Sequence, residues 1–278
     1  MLAVTGSTGR LGGRVASRLA QTGRDQRLLV RDPSRAPDLR GAEIRQAVYD
    51  DTDAVAAALS GVETVLMVSA AEHPNRVAQH RCFIDGAVGA GVGQLVYTSF
   101  VGADAAAMFT LGRDHHRTEE YIRASGLSYT FLRDNLYADF FPMMVGPDGV
   151  IRGPAGDGRV AAVAQDDIAE AAVSVLSDPP AHAGAVYHLS GPEALTLTEV
   201  AATISEGTGR PVSFHDETVA EAYASRASYF APQWQLDAWV STYTAIAAGE
   251  FAGVSSDIET LTGHPATPLA EVVRRQAG

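Results

Sequence analysis

The stretch VTGSTGRLGGRV, residues 4–15, lies between a short apolar run and an amphipathic one, and its reading decides the fold. LAVT at its start has the length and composition of a buried strand, and residues 14–20 after it have helical spacing. Gly6, Gly9 and Gly12 therefore sit at GxxGxxG spacing in a strand-to-helix turn. A turn without Cβ atoms lets the backbone approach a pyrophosphate, and the helix start offers free N–H groups and the positive end of its dipole. The same glycines would serve a plain tight turn, but their place between strand and helix points to a dinucleotide. Gly6, Ser7, Thr8, Gly9, Arg10, Leu11 and Gly12 form the candidate phosphate-binding set.

Outward from this turn, the apolar runs QRLLVR, AEIRQAVY, ETVLMVSA, QLVYTSF and LSYTFLR alternate with helical patterns at residues 53–59, 77–88 and 117–124. Such alternation predicts the α/β class: a Rossmann-like, doubly wound parallel sheet with right-handed crossovers. A Gly- and Pro-rich stretch, 146–158, reads as irregular, and a helix at 167–176 and the strand AVYHLS follow it. Asp166 and Asp167 are placed to cap that helix. Beyond about residue 191 the pattern becomes helices with short links. Thr196 with Glu199 and Ser256 with Glu259 have capping-box spacing, and Thr267 with Pro268 reads as N-cap and N1. The expected organisation is a dinucleotide-binding domain over 1–190 and a small, mainly helical lobe over 191–278.

The second strand selects the cofactor. An acidic residue at its end would bond a ribose 2′-hydroxyl, whereas here the strand ends LLVRDP, residues 28–33. Arg31 is suited to a charge-assisted, bidentate contact with a 2′-phosphate, which favours NADPH. Asp32 beside it either pairs with Arg31 or serves a free ribose, so NADH stays open. In a doubly wound sheet the strand ends face the cofactor crevice, which adds Thr98 and Ser99 at the C-terminal end of the fifth strand and Ser69 and Ala70 at that of the fourth.

Composition narrows the remaining classes. The chain has 278 residues, 46% of them hydrophobic, with mean hydropathy +0.00, enough for a sizeable core. Its 21 basic residues are all arginine and face 33 acidic ones, and the net charge of -12 opposes a nucleic-acid surface. The single cysteine, Cys82, reads as a small buried hydrophobe in a reducing compartment. No signal peptide and no run of about 18 apolar residues is present, so a cytoplasmic protein without a membrane span is expected. The histidines outside positions 115 and 116 lack metal-site spacing, so no metal is expected.

The motifs GSTGRLGG, LLVRDP, AVYDD, AQHR, LVYTS, HHRTE, YTFLRDNLYADFF and LTGHPATPLAE follow one another in an order that resembles the atypical short-chain dehydrogenases. This group contains NmrA-like proteins, bacterial type-2 NAD(P)H:quinone oxidoreductases and triphenylmethane reductases. The resemblance covers nearly the whole chain, and HxxTE followed by YTFLRxxxY is its most specific part. Related dehydrogenases that use a Tyr-x-x-x-Lys pair cannot be matched in mechanism, because the chain has no lysine.

The resemblance implies a Rossmann-like domain and a small C-terminal lobe, with substrate in a cleft also lined by about residues 135–158. It puts His115 where isoflavone-reductase-like relatives carry a catalytic lysine and quinone reductases a histidine. It puts Tyr137 near nicotinamide and substrate, and Asp134 and Asn135 at the cofactor. Asp134 stands where those reductases usually have Asn, and Val48 replaces an Asp common before the tyrosine that ends the third strand. The implied reaction is hydride transfer from NADPH to a small, planar, electron-poor acceptor such as a quinone. His115, with a pKa near neutrality, would polarise or protonate the acceptor oxygen, while Tyr137 and Phe140 or Phe141 wall the pocket. Other readings stay open: a structural His115 partnered by Glu119, a redox sensor without turnover, or a reductase of a dye, enone or imine. A homodimer is compatible with all of them. Tyr229, Phe230, Trp234, Trp239 and Tyr243 read as lobe core or as a stacking wall.

Overall fold

In the computed structural model, which describes residues 1–277, strand β1 (Leu2–Thr5) is buried along its whole length. Its last residue shows how a polar side chain is accommodated there. Thr5 Oγ1 accepts the Val68 N–H at 2.9 Å and lies 2.5 Å from the Tyr49 hydroxyl, which donates to the Val68 carbonyl at 2.6 Å. Because the phenol proton goes to Val68, the threonine proton goes to the phenol oxygen. Burial pushes the Tyr49 phenol far above its usual range, so it remains a protonated donor.

The chain continues through α1 (Arg10–Gln21), β2 (Gln26–Val30), β3 (Ala42–Gln46), α2 (Thr52–Ala58), β4 (Thr64–Met67), α3 (Arg76–Gly89) and β5 (Gln94–Phe100). Then come α4 (Thr110–Ala124), β6 (Ser128–Asp134), β7 (Val150–Gly153), β8 (Arg159–Val160), α5 (Gln165–Ser177) and β9 (Val186–Leu189). Seven strands form one sheet in the order β3-β2-β1-β4-β5-β6-β9. β1 pairs in parallel with both β2 and β4, and the pairs β2–β3 and β4–β5 are also parallel. Phe131 and Asn135 donate to Ala185 and Leu189, advancing together along β6 and β9, so that pair runs parallel too. Strand order reverses at β1, which makes the β1/β4 edge the switch point where doubly wound sheets bind ligands.

Two compact units make up the chain, each discontinuous in sequence. The first comprises Met1–Ser99, Asp114–Arg133 and Asp166–Tyr187; the second comprises Phe100–Arg113, Asp134–Gln165 and the residues from His188 onward. Residues 100–113 and 134–165 thus pack with the C-terminal part, an arrangement that a linear division at 190 does not express. The first unit's core joins Val65, Met67, Leu95 and Tyr97 of the sheet to Val55, Phe83, Ile84 and Phe131. In the second, Phe100, Phe109 and Phe251 meet at ring separations of 5.1 to 5.7 Å and continue into Phe141, Leu197, Ile246 and Leu269.

The second unit holds helices α6 (Leu197–Thr208), α7 (Val219–Arg226), α8 (Gln233–Ala247), α9 (Asp257–Thr262) and α10 (Leu269–Ala277) with strands β10 (Leu195–Thr196) and β11 (Ser213–Asp216). Thr196 and Glu199 form the expected capping box of α6, and Thr218 with Glu221 forms a second one on α7. Ser256 differs from expectation: at φ -91° and ψ 8° it is not extended, and its side chain makes no cap bond. The 146–158 stretch contains β7 because its partner, β11, lies some sixty residues later, beyond the reach of a local pattern. Asp166 does not cap α5 either. Asp139 Oδ2 accepts the Gln165 N–H at 2.8 Å, while Asp166 receives Arg14 and Arg18 of α1 at 3.1 and 3.2 Å. Cys82 is half-buried and unpaired, and Trp239 is met edge-on by the exposed Tyr229. No helix among the described residues is long and apolar enough to cross a membrane.

Candidate active site

The glycine turn carries three independent marks of a ligand cradle. Gly6 has φ +65°, a conformation that L side chains rarely adopt. A Cβ on Gly12 would lie 2.4 Å from the Gly6 carbonyl oxygen, so α1 presses against the turn too closely for any side chain. α1 begins at the N-cap Gly9 with no side-chain cap and no acidic residue in its first turn, leaving its first N–H groups and positive dipole end to an outside anion. Beside them the Ser7 hydroxyl, in a residue 3% exposed, has no hydrogen-bond partner. An orphaned buried hydroxyl costs about 1–3 kcal/mol, which a phosphate oxygen would recover. These residues fit a dinucleotide pyrophosphate.

At the end of β2, Arg31 is exposed and forms no ion pair among the described residues. Asp32 does not pair with it. Its Oδ1 accepts the Ser34 N–H at 3.0 Å and the Ser34 hydroxyl at 2.7 Å, capping a single 3₁₀ turn, Pro33–Arg35. These bonds hold the Asp32 carboxyl below its usual range. Asp32 therefore does not neutralise the Arg31 guanidinium.

Further along the same sheet edge, the segment after β4 is tied to β5 and α3. Ser69 N–H donates to Thr98 Oγ1 at 2.8 Å, and Ala70 N–H donates to His80 Nε2 at 2.9 Å. Ser99 Oγ donates to Glu119 Oε1 at 2.6 Å. The hydroxyls of Thr98 and Ser99 thus face inward and brace neighbouring elements.

Glu119 explains the HxxTE frame. Fully buried, it is clamped by Arg133 of β6 at 2.6 and 2.8 Å and by Arg123 at 3.1 Å, besides Ser99 of β5. One turn earlier on the same face is His115. Glu119 is not its partner. His115 Nε2 lies 3.1 Å from Arg76 Nη2, and Nδ1 lies 2.9 Å from the Tyr97 hydroxyl. Arginine has no acceptor, so Nε2 must accept, Nδ1 carries the single proton, and Tyr97 receives it. His80 follows the same rule: Nε2 takes the Ala70 N–H, so Nδ1–H donates to Thr118 Oγ1 at 2.9 Å.

The expectation of a His115 pKa near neutrality is overturned. The side chain is buried, which alone opposes a second proton, and the charges of Arg76 and Arg133 and the nearby His80 oppose it further, so its pKa falls well below 6.5. His80 is lowered in the same way, by burial first and Arg76 second. Both imidazoles are neutral donors through Nδ1 at physiological pH.

Arg76 and His80, on one face of α3, complete this cluster and were not singled out as site residues by sequence. Their only signal was AQHR and the i, i+4 spacing of Arg76 and His80 at the start of a helix. Arg76 is 4% exposed; its Nε donates to the Ala70 carbonyl at 2.8 Å, and its Nη1 has no partner.

In the second unit, Tyr137 donates to Asp134 Oδ2 at 2.7 Å and meets Phe140 edge-on at 5.3 Å. Asn135 is fully buried, its Nδ2 donating to the Phe251 carbonyl and its Oδ1 accepting the Leu136 N–H. That amide braces the core of its own unit. Among the described residues, no group of three or more His, Cys, Asp or Glu side chains converges as a metal site.

The chain is similar to known proteins in sequence and in fold. The model of the NmrA-like family matches residues 1–232. Quinone oxidoreductase 2 of Escherichia coli strain K12 is 36% identical over 281 residues, covering 98% of this chain and 97% of that one. NAD(P)H azoreductase of Xenophilus azovorans is 29% identical, covering 100% and 98%. Among solved structures, the Escherichia coli NADPH-dependent quinone oxidoreductase in complex with NADPH superposes with a TM-score of 0.91 at 35% identity, over 100% of both chains. Citrobacter sp. triphenylmethane reductase complexed with NADP(H) gives 0.88 at 31%, again over 100% of both.

Proposed function

Because the chain belongs to the NmrA-like family, we propose that it is an NAD(P)H-dependent oxidoreductase that reduces a small, planar, electron-poor acceptor of the quinone class. The observation that carries this reading is full-length identity of 36% with a quinone oxidoreductase in a chain whose own glycine turn is shaped for a pyrophosphate. The reduced dinucleotide, when bound, supplies the hydride. Gly6 to Gly12 hold its phosphates by backbone N–H groups, with the Ser7 hydroxyl as an added donor. Ser69 and Ala70 continue the binding edge, and Arg31 takes the 2′-phosphate. Thr98 and Ser99 shape that edge from behind, and the assigned role of Tyr137 is edge contact with a flat ring. His115 acts as a neutral imidazole that fixes Tyr97 and shares the charge of Arg76.

The decisive experiment is NADPH oxidation followed at 340 nm with and without a quinone. Acceptor-dependent turnover is expected; tight dinucleotide binding with no turnover across quinones, azo dyes and triphenylmethane dyes would instead make the protein a redox sensor. Since His115 does not titrate near neutrality, kcat/KM should show no inflection from it between pH 6 and 8. His115→Ala should lower kcat/KM by about tenfold or more, since it leaves the buried Arg76 and Tyr97 each a partner short at about 1–3 kcal/mol. An unchanged value removes His115 from the site.

Arg31 sets the coenzyme preference. Loss of a charge-assisted contact worth about 1.5–3 kcal/mol predicts that Arg31→Ala weakens NADPH binding roughly 10- to 100-fold and leaves NADH binding nearly unaltered. Titration of both coenzymes against the variant checks this, and parallel losses for the two would count against a 2′-phosphate contact.

A further inference from the structure

We propose that Arg76 is the resident cation of this site and gives it a preference for an acceptor oxygen carrying negative charge, as a phenolate or enolate. The inference rests on the reductase reading and adds what the acceptor becomes in the site. Arg76 is almost wholly buried yet forms no ion pair among the described residues: its partners are a neutral imidazole and a backbone carbonyl, and Nη1 has none. A buried, uncompensated guanidinium is costly to fold around. The fold accommodates it at the carboxyl end of the parallel strands, the edge where such sheets bind ligands.

Its place along that edge separates it from the phosphates. Arg76 reaches from the Ala70 carbonyl, which follows β4, to His115, and His115 leads on to Tyr97 of β5, two strands from the glycine turn, about 10 Å at roughly 4.8 Å per strand. A dinucleotide whose pyrophosphate sits on the turn directs its other half toward β4 and β5. Arg76 thus borders the dinucleotide edge through Ala70, while its other arm, with His115, extends its charge toward the β5 side, where the acceptor is proposed to lie. A quinone that takes up a hydride gains two electrons and one proton, the dinucleotide leaves oxidised, and the quinone oxygen keeps a negative charge until water supplies the second proton. A fixed positive charge in a water-poor site favours that state. His115 shares the same field, since its N–H, accepted by Tyr97, is polarised by Arg76.

The probe is 4-nitrophenol, a flat, redox-inert phenol whose ionised form absorbs visible light. Wild-type protein saturated with NADP⁺ should bind it and lower its apparent pKa by one unit or more, a tenfold preference for the phenolate. Arg76→Met should abolish that shift, while NADP⁺ affinity by calorimetry changes less than about twofold and Tm does not fall. Arg76→Lys, which keeps charge without the forked donors, should restore part of the shift. It also carries the test if the methionine variant does not fold. Equal phenol pKa values in wild type and both variants, or no phenol binding by the wild type, overturn the proposal. A large loss of NADP⁺ affinity with an intact phenolate preference also overturns it, and assigns Arg76 to the phosphates. None of these readouts uses turnover, so they fail independently of the reductase assay.

Discussion

Gly12→Ala is expected to raise the Kd for NADPH by about 100-fold or more, an effect of roughly 2.7 kcal/mol. The new methyl carbon would lie 2.4 Å from the Gly6 carbonyl oxygen, 2.5 Å from its carbon and 2.6 Å from the Thr5 carbonyl oxygen. All three are backbone atoms at a point where β1 is locked to Val68 and Tyr49 by the Thr5 hydroxyl, so the strand cannot give way. The helix start must move instead, and with it the N–H groups that face the phosphates. Overpacking costs about 1–3 kcal/mol in stability, and displacement of the cradle adds the loss in binding. Gly13→Ala is the graded control: its Cβ would meet only the Ser7 carbonyl oxygen, at 3.0 Å, and a smaller loss is expected. Calorimetry on folded protein separates binding from stability. Wild-type affinity in Gly12→Ala would mean that the turn does not hold the pyrophosphate.

How far this site could be read from sequence depends on how local its physics is. The glycine turn is legible because the demand for missing Cβ atoms is written in adjacent residues, and the alternation of apolar runs gives the sheet because buried parallel strands are apolar throughout. Arg31 is legible by position, at the end of a strand. The ionisation of His115 is not, since it depends on burial and on Arg76, thirty-nine residues earlier. Spacing suggested Glu119 as the partner of His115, and tertiary contacts with Ser99 and Arg133 claimed it instead. The same competition decided α5, whose first N–H is met by Asp139 and not by the aspartates of its own first turn. Local pattern thus located the residues, while the identity of their partners came from strands and helices brought together by the sheet.

The two buried histidines make acid stability a sharp test of this arrangement. Both have folded pKa values well below the ordinary 6.5, for burial and for the charge of Arg76. As pH falls through 6.5 the unfolded chain takes up two protons that the folded chain refuses, so acid favours unfolding. Their contribution to stability is fully present above that pH and is lost below it, at up to about 1.4 kcal/mol per pH unit for each histidine. Between pH 7 and pH 5 the two act in the same direction, so a fall in stability is expected, with that slope as its upper bound. The carboxylates held low by their partners, Asp32, Glu43, Asp148, Glu199 and Glu221, weaken folding only at more acid pH, near and below their ordinary values. The excess negative charge of the chain acts oppositely, since partial neutralisation relieves repulsion. Urea denaturation at pH 7, 6 and 5 measures the balance. His115→Asn, which keeps an uncharged polar group there, should remove about half of the slope, and His80→Asn the other half. A pH dependence that is the same in His115→Asn and His80→Asn as in the wild type would mean that the imidazoles admit a second proton inside the fold, and the tautomer chain from Arg76 through His115 to Tyr97 could not stand.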